Sequence, residues 1–255
     1  MVYKKSTVVK IQGGLGNQLF QYAFAVFLKK NLETKIDLDL SWFENQNLRE
    51  FKLNQVLLNV NFDQVKLNIG IFNKILNYKS ELLITYLAKH KYFLPIKIYN
   101  GYWQDVFFAN HLKDINYFNN NIFLKKYSGE YYVLHLRRGD FLTSNLHTVI
   151  QDEHYQRFVN LFIDKKIYII SNEKESALVL KEKLNSLADV EYIECGDIEA
   201  FGIIYNAKGG IASNSTFCWW PIYLSGGQNW IMPYHWLKNK NIFNQNLNID
   251  GTLVL

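Results

Sequence analysis

The chain of 255 residues is long enough for one large domain or two small ones, and 49% hydrophobic against 20% charged residues suits a globular enzyme rather than a disordered or fibrous chain. A net charge of +5, dispersed over doublets such as Lys29-Lys30, Lys125-Lys126, Arg137-Arg138 and Lys165-Lys166, favours nucleotides and peripheral contact with anionic lipid; with no basic tract it excludes a nucleic-acid-binding arm. Cys195 and Cys218, without CxxC spacing, exclude a disulfide scaffold and a thiolate metal site; with no signal-peptide core and no apolar run near the roughly 20 residues of a membrane span, a cytoplasmic protein is expected.

In the first half, Ser6–Ile11 reads as a buried strand that breaks at Gly13-Gly14-Leu15-Gly16-Asn17-Gln18. From Gln18 to Asn31 the pattern turns helical, with Leu19, Phe20, Ala23, Phe27 and Lys30 at 3–4 spacing. Glycines between a strand and a helix let backbone approach a ligand, and helix N-terminal amides attract negative charge. The turn is not GxGxxG, since position 19 is Leu and no acid follows at the ribose distance. Two readings stay open: a ligand-facing turn with the amides of Asn17 and Gln18, or a tight structural turn.

Lys35–Leu40 is the next strand and carries Asp37-Leu38-Asp39, a DxD pattern on one strand face that a metal-dependent transferase would use. Residues 63–93 read as mixed amphipathic helix, and Pro95–Asn100 as a strand entering Gly101-Tyr102-Trp103-Gln104. Asp114–Glu130 is polar and Asn-rich, the expected connection between two halves.

The second half alternates strand and helix: Tyr131–Leu136, Asp152–Ile163, Lys166–Ser171, Glu173–Leu187, Val190–Ile193, Ile198–Ala207, Gly209–Ala212, Thr216–Leu224 and Trp230–Met232. Such alternation implies βαβ units and parallel sheets. The first strand here ends in His135-Leu136-Arg137-Arg138-Gly139-Asp140. Two guanidiniums emerging at a strand end offer about ten N–H donors to a diphosphate, and ligands of open α/β sheets bind at that edge. The plainer alternative is a surface turn salt-bridged to itself. Farther on, Ala212-Ser213-Asn214-Ser215-Thr216 separates a strand from a helix. Ser213 or Asn214 is expected to cap that helix, and Ser215 and Thr216 to offer hydroxyls to a phosphate at its N-terminus. The Trp219-Trp220 pair reads as core. No GxSxG elbow, P-loop or zincin motif occurs.

In order along the chain, the blocks Gly13–Ala25, Gly101–Gln104, His135–Phe141, Ser213–Trp220 and Met232-Pro233-Tyr234-His235-Trp236 resemble glycosyltransferase family 11, the bacterial alpha-1,2-fucosyltransferases. The resemblance spans nearly the whole chain. It implies a GT-B fold, two Rossmann-like domains with parallel sheets facing a central cleft, here divided as residues 1–125 on the acceptor side and 126–255 on the donor side. It implies inverting transfer of fucose from GDP-β-L-fucose to the 2-hydroxyl of a galactose-terminated surface glycan, with neither cofactor nor essential metal. Donor contacts are then expected from Arg137, Arg138, Ser213, Asn214, Ser215 and Thr216, with Gly14, Gly16 and Asn17 closing from the other side. Tyr102, Trp103 and Gln104 face the acceptor.

Arg138 heads the groups expected to stabilise charge on the departing GDP. Asp140 is read either as the general base or as a brace for the arginines, with His135 as the alternative base. The chain departs from the family in two places. It is shorter between residues 60 and 130. The helix before Ser213 lacks the family's Cys and His, which leaves Asp197 or Glu199 to read guanine.

Overall fold

The computed structural model describes residues 6–45, 47–66, 78–94, 98–162, 164–234, 236–238 and 247–254. By internal contacts the chain divides into two units, Met1–Asn119 with Gln245–Leu247 and Asn120–Asn244 with Asn248–Leu255. Each is built on its own parallel sheet.

The first unit has four strands, β1 (Thr7–Lys10), β2 (Ile36–Asp39), β3 (Asp63–Val65) and β4 (Ile98–Tyr99), in the order β3-β2-β1-β4. The chain starts in the middle, adds β2 and β3 on one flank, then places β4 on the other. Its helices are α1 (Leu15–Asn31), α2 (Leu53–Val56), α3 (Tyr78–Lys89) and α4 (Val106–Ala109). Helix α1 begins earlier than its periodicity suggests and is enclosed on all sides: from Leu15 to Leu28 only Asn17 is not buried. That fits its nearly unbroken apolar run, which offers no polar face to water. Phe24 stacks on Trp103 with ring centroids 4.1 Å apart and meets Phe108 edge-on at 4.9 Å. Lys29 and Lys30 end the helix in solvent, where they complement its dipole.

The helix expected over residues 63–93 is corrected. Asp63–Val65 is an edge strand, because its backbone pairs in parallel with β2, Asp37 opposite Asp63. Among the described residues of that span the helix is Tyr78–Lys89; residues 67–77 lie outside them. The strand expected at Pro95–Asn100 is β4 at Ile98–Tyr99; residues 95–97 also lie outside.

The second unit has six strands: β5 (Tyr132–Leu136), β6 (Lys166–Ser171), β7 (Asp189–Tyr192), β8 (Gly210–Ile211), β9 (Trp230–Met232) and β10 (Leu253–Val254), ordered β10-β9-β8-β5-β6-β7 and all parallel. Helices α5 (Asp152–Val159), α6 (Lys174–Leu184), α7 (Asp197–Tyr205) and α8 (Thr216–Leu224) cover it. Its core gathers Leu134, Leu136, Tyr155, Ile169, Leu180 and Ile231, with Trp219 and Trp220 fully buried as expected. Gly210 shows why β8 opens on glycine: φ is +152°, and a Cβ there would sit 1.8 Å from the Val133 carbonyl oxygen. Helix α5 ends at Val159 and continues as a 3-10 turn over Asn160–Phe162, short of the expected Ile163, which lies outside the described residues. Strand β10 carried no sequence signal.

Candidate active site

In the second sheet the chain runs β5, β6, β7 to one side and then crosses to lay β8, β9, β10 on the other. The order therefore reverses between β5 and β8, where an open parallel sheet leaves room for a ligand beyond its carboxyl ends. Of the expected residues, Arg137 and Arg138 leave the end of β5 and Ser213–Ser215 the end of β8; Asn172, which was not among them, leaves the end of β6. His135 Nδ1 and Ser213 Oγ, 2.7 Å apart, join the two motifs beneath the surface.

Arg138 is held from three directions. Its Nη2 donates to Asp152 Oδ1 at 2.8 Å, and its Nη1 to the Arg137 carbonyl at 3.4 Å. Its backbone is clamped by the Asn172 amide, which accepts from Arg138 N at 3.0 Å and donates to Arg138 O at 3.1 Å. Asp152 is shared with Lys183, whose Nζ lies 2.7 Å from Oδ2. Burial works against the Asp152 carboxylate, but hydrogen bonds from Lys183 and Arg138 outweigh it and hold its pKa below the ordinary value. The Arg138 side chain is 7% exposed. Arg137 takes the other course: its Nη2 donates to both carboxylate oxygens of Asp140, each at 2.7 Å, and its guanidinium lies 4.9 Å over the Phe141 ring. The Asp140 side chain is 55% exposed.

Burial, with the Arg137 charge adding to it, pushes the His135 pKa down to about 3, so the ring is neutral near neutral pH. The cap expectation is corrected: Ser215 is the N-cap of α8, its Oγ accepting from Phe217 N at 3.3 Å. Ser213 is already turned to His135, and the buried Asn214 donates from Nδ2 to the carbonyls of Thr148 and Trp236, both at 2.8 Å. Thr216, half-buried, opens the helix. Asp197 and Glu199 lie in the first turn of α7, and Glu199 is ion-paired with Lys126.

The first sheet reverses in the same manner between β1 and β4. Gln12 Nε2 bridges the loops after these strands, donating to Asn100 Oδ1 at 3.3 Å. Gly14 is the N-cap of α1, and a Cβ there would meet nothing within 4 Å. Gly16 is buried in the first turn, and the Asn17 side-chain oxygen accepts from Gln104 Nε2 at 2.8 Å, so two separate motifs touch. Gln18 does not face a ligand. It is buried, donating to the carbonyls of Gly13 and Glu50 and accepting from Lys52 N. Trp103 is 1% exposed and stacked on Phe24, a core position rather than a surface one; Tyr102 is 38% exposed. Glu81 accepts from the backbone N–H groups of Tyr102 and Trp103 at 3.0 and 2.6 Å, and Trp103 sits at φ +53°. Burial raises the Glu81 pKa against those two bonds.

Asp37 and Asp39 are both buried, Asp37 against Lys35 at 3.1 Å and Asp39 accepting from Ser41 N and Oγ. Among the described residues no group of three His, Cys, Asp or Glu side chains is arranged to hold a metal, and no helix is long and apolar enough to cross a membrane.

A family model for Glycosyl transferase family 11 matches residues 3–246. The chain belongs to that family. Among relatives of this family 11 member, the "O-antigen biosynthesis glycosyltransferase WbnK" of Escherichia coli is 26% identical, with 91% of this chain and 95% of that protein covered. The "Alpha-1,2-colitosyltransferase" of Escherichia coli is 27% identical, covering 85% and 87%. Solved structures share the fold at low identity. Fucosyltransferase NodZ from Bradyrhizobium superposes with a TM-score of 0.58 at 9% identity over 88% of this chain and 94% of that one. POFUT1 in complex with GDP-fucose gives 0.54 at 10% identity over 98% of each. The fold of this glycosyltransferase is thus of the GT-B type, α/β with two parallel sheets.

Asp152, Asn172 and Glu81 hold this family 11 framework and carried no sequence signal. Each is an ordinary helix-start or loop residue, 14 to 34 positions from what it holds.

Proposed function

We propose that this family 11 enzyme transfers L-fucose from GDP-β-L-fucose, with inversion, to the 2-hydroxyl of a terminal galactose in a surface glycan such as O-antigen. The observation that carries the reading is the convergence of Arg137, Arg138 and the α8 N-terminus at the reversal point of the second sheet. As the glycosidic bond breaks, the sugar gains oxocarbenium character and negative charge grows on the departing GDP. Arg138, already oriented by Asp152 and Asn172, meets that charge first; Arg137, Ser215, Thr216 and the helix N-terminus complete the set. Asp140 braces Arg137 through its two-oxygen pairing. Buried Ser213 and Asn214 shape the floor, while Asp197 and Glu199 are the acids that read guanine. The first unit takes the acceptor, with Tyr102 and Gln104 as contacts, while Gly14, Gly16 and Asn17 in the turn before α1 are donor contacts.

GDP release from GDP-fucose, followed with and without EDTA across galactose-terminated acceptors, tests this. EDTA-resistant, acceptor-stimulated release is expected. Release abolished by EDTA would instead put Asp37 and Asp39 to use as metal ligands. A second reading keeps the site and changes the sugar: one relative is named for colitosyl transfer, so a GDP-sugar panel decides the donor.

A further inference from the structure

The segment after the arginines is built around one histidine. Ser144 Oγ accepts from the backbone N–H of Leu146 at 3.1 Å and of His147 at 3.2 Å. With two N–H groups directed at the oxygen, its own hydrogen is left for His147 Nδ1, 2.9 Å away. A ring nitrogen that accepts carries no hydrogen, so the neutral His147 ring holds its hydrogen on Nε2, at the opposite edge. The ring is half-buried and stacks on Phe141 at 4.1 Å and 13°, and Phe141 in turn lies under the Arg137 guanidinium at 4.9 Å.

The loop is also tied down. Thr148 N donates to Trp236 O, Lys238 N to Leu146 O, and Lys238 Nζ to Ser144 O at 2.7 Å. Burial is the largest influence on the ring and lowers its pKa; Asp140 opposes this, while Arg137 and Lys238 add to it, so the ring stays neutral near neutral pH. A tautomer fixed this firmly, linked to a guanidinium through the Phe141 ring, is an oriented, uncharged N–H donor, the kind of group that stabilises developing charge without reorganising.

We propose that His147 belongs to the donor site, its Nε2–H donating a hydrogen bond to the diphosphate of the GDP-sugar. This rests on the reading of Arg137 and Arg138 as diphosphate ligands. His147 is a donor and not the base: the nitrogen facing away from Ser144 has no lone pair to take a proton.

Calorimetric GDP binding separates the possibilities. The Gln amide nitrogen reaches the Nε2 position, whereas the shorter Asn reaches only the Nδ1 position and keeps the Ser144 edge. His147→Gln is expected to bind GDP within about threefold of wild type, and His147→Asn and His147→Leu about tenfold more weakly, the loss of one hydrogen bond. The acceptor KM should hold steady in all three. Asn matching wild type while Gln is weak would assign His147 a loop-holding role and overturn the proposal, as would Leu binding GDP like wild type. Arg138→Ala is the control. If it loses GDP while His147→Leu does not, only this inference falls; if folded wild-type protein binds no GDP, the donor reading falls with it.

Discussion

At Arg138 one guanidinium must be both buried and ready for an anion, and its neighbours explain how. Asp152 fixes one edge, Asn172 fixes the backbone, and the charge of Asp152 is shared with Lys183. Arg138→Ala should therefore remain folded, because Asp152 keeps Lys183, yet lose on the order of 10²–10³ in turnover, as removal of one oriented donor does; initial rates with GDP-fucose and a melting curve check both halves. Asp140→Asn keeps one of two acceptors for Arg137, so a bracing Asp140 predicts weaker GDP binding alongside the slower rate. Lost turnover with unchanged GDP affinity would make Asp140 the base instead. The sequence disclosed Arg137, Arg138 and Ser215 because their neighbours along the chain, a β-rich run or a helix start, already imply where they emerge. Asp152 and Asn172 were hidden because what they hold lies 14 and 34 positions away along the chain; His147 was hidden because its Ser144 and Phe141 contacts belong to an irregular loop with no periodicity to read.

Elements were legible where local chemistry was strong. Helix α8 and strand β9 have the bounds expected of them, because Ser215 caps the one and a turn rich in glycine precedes the other. Strands β3 and β10 were invisible: they are two or three residues long, lie at sheet edges, and exist through pairing with β2 and β9 rather than through any alternation of their own. Ser215→Ala should cost about 1 kcal/mol of stability, the usual worth of an N-cap hydroxyl, read as a shift in urea midpoint at constant slope. Gly210→Ala is a harsher change, since Val133 O occupies the space a Cβ needs and lies on the central strand. A loss above about 3 kcal/mol is expected, seen as failure to accumulate soluble protein.

Across the whole molecule the same topological device appears twice: each parallel sheet starts at an inner strand, reverses, and presents the turn after that strand at the reversal. Alternating strands and helices predicted parallel sheets but not their order, which depends on which crossover the chain takes. Acid should weaken the second unit through His135. Its pKa, pushed from 6.5 down to about 3 in the fold, means the buried ring stays neutral while the unfolded one charges. That stabilisation is whole above about pH 6.5 and drains away as pH falls toward 3. Melting temperature should therefore fall more steeply with acid in wild type than in His135→Gln, though His111, His147 and His154, also shifted down, keep some slope in both. The ties from Asn214 to Thr148 and Trp236, and from Lys238 back to Ser144 and Leu146, carry a different consequence. A ribosome makes the arginine turn and the loop behind it about ninety residues before the segment that anchors that loop. A nascent chain halted ahead of Trp236 would carry the arginine turn and the Ser213–Thr216 motif and still lack the ties from Trp236 and Lys238 that hold the His147 loop.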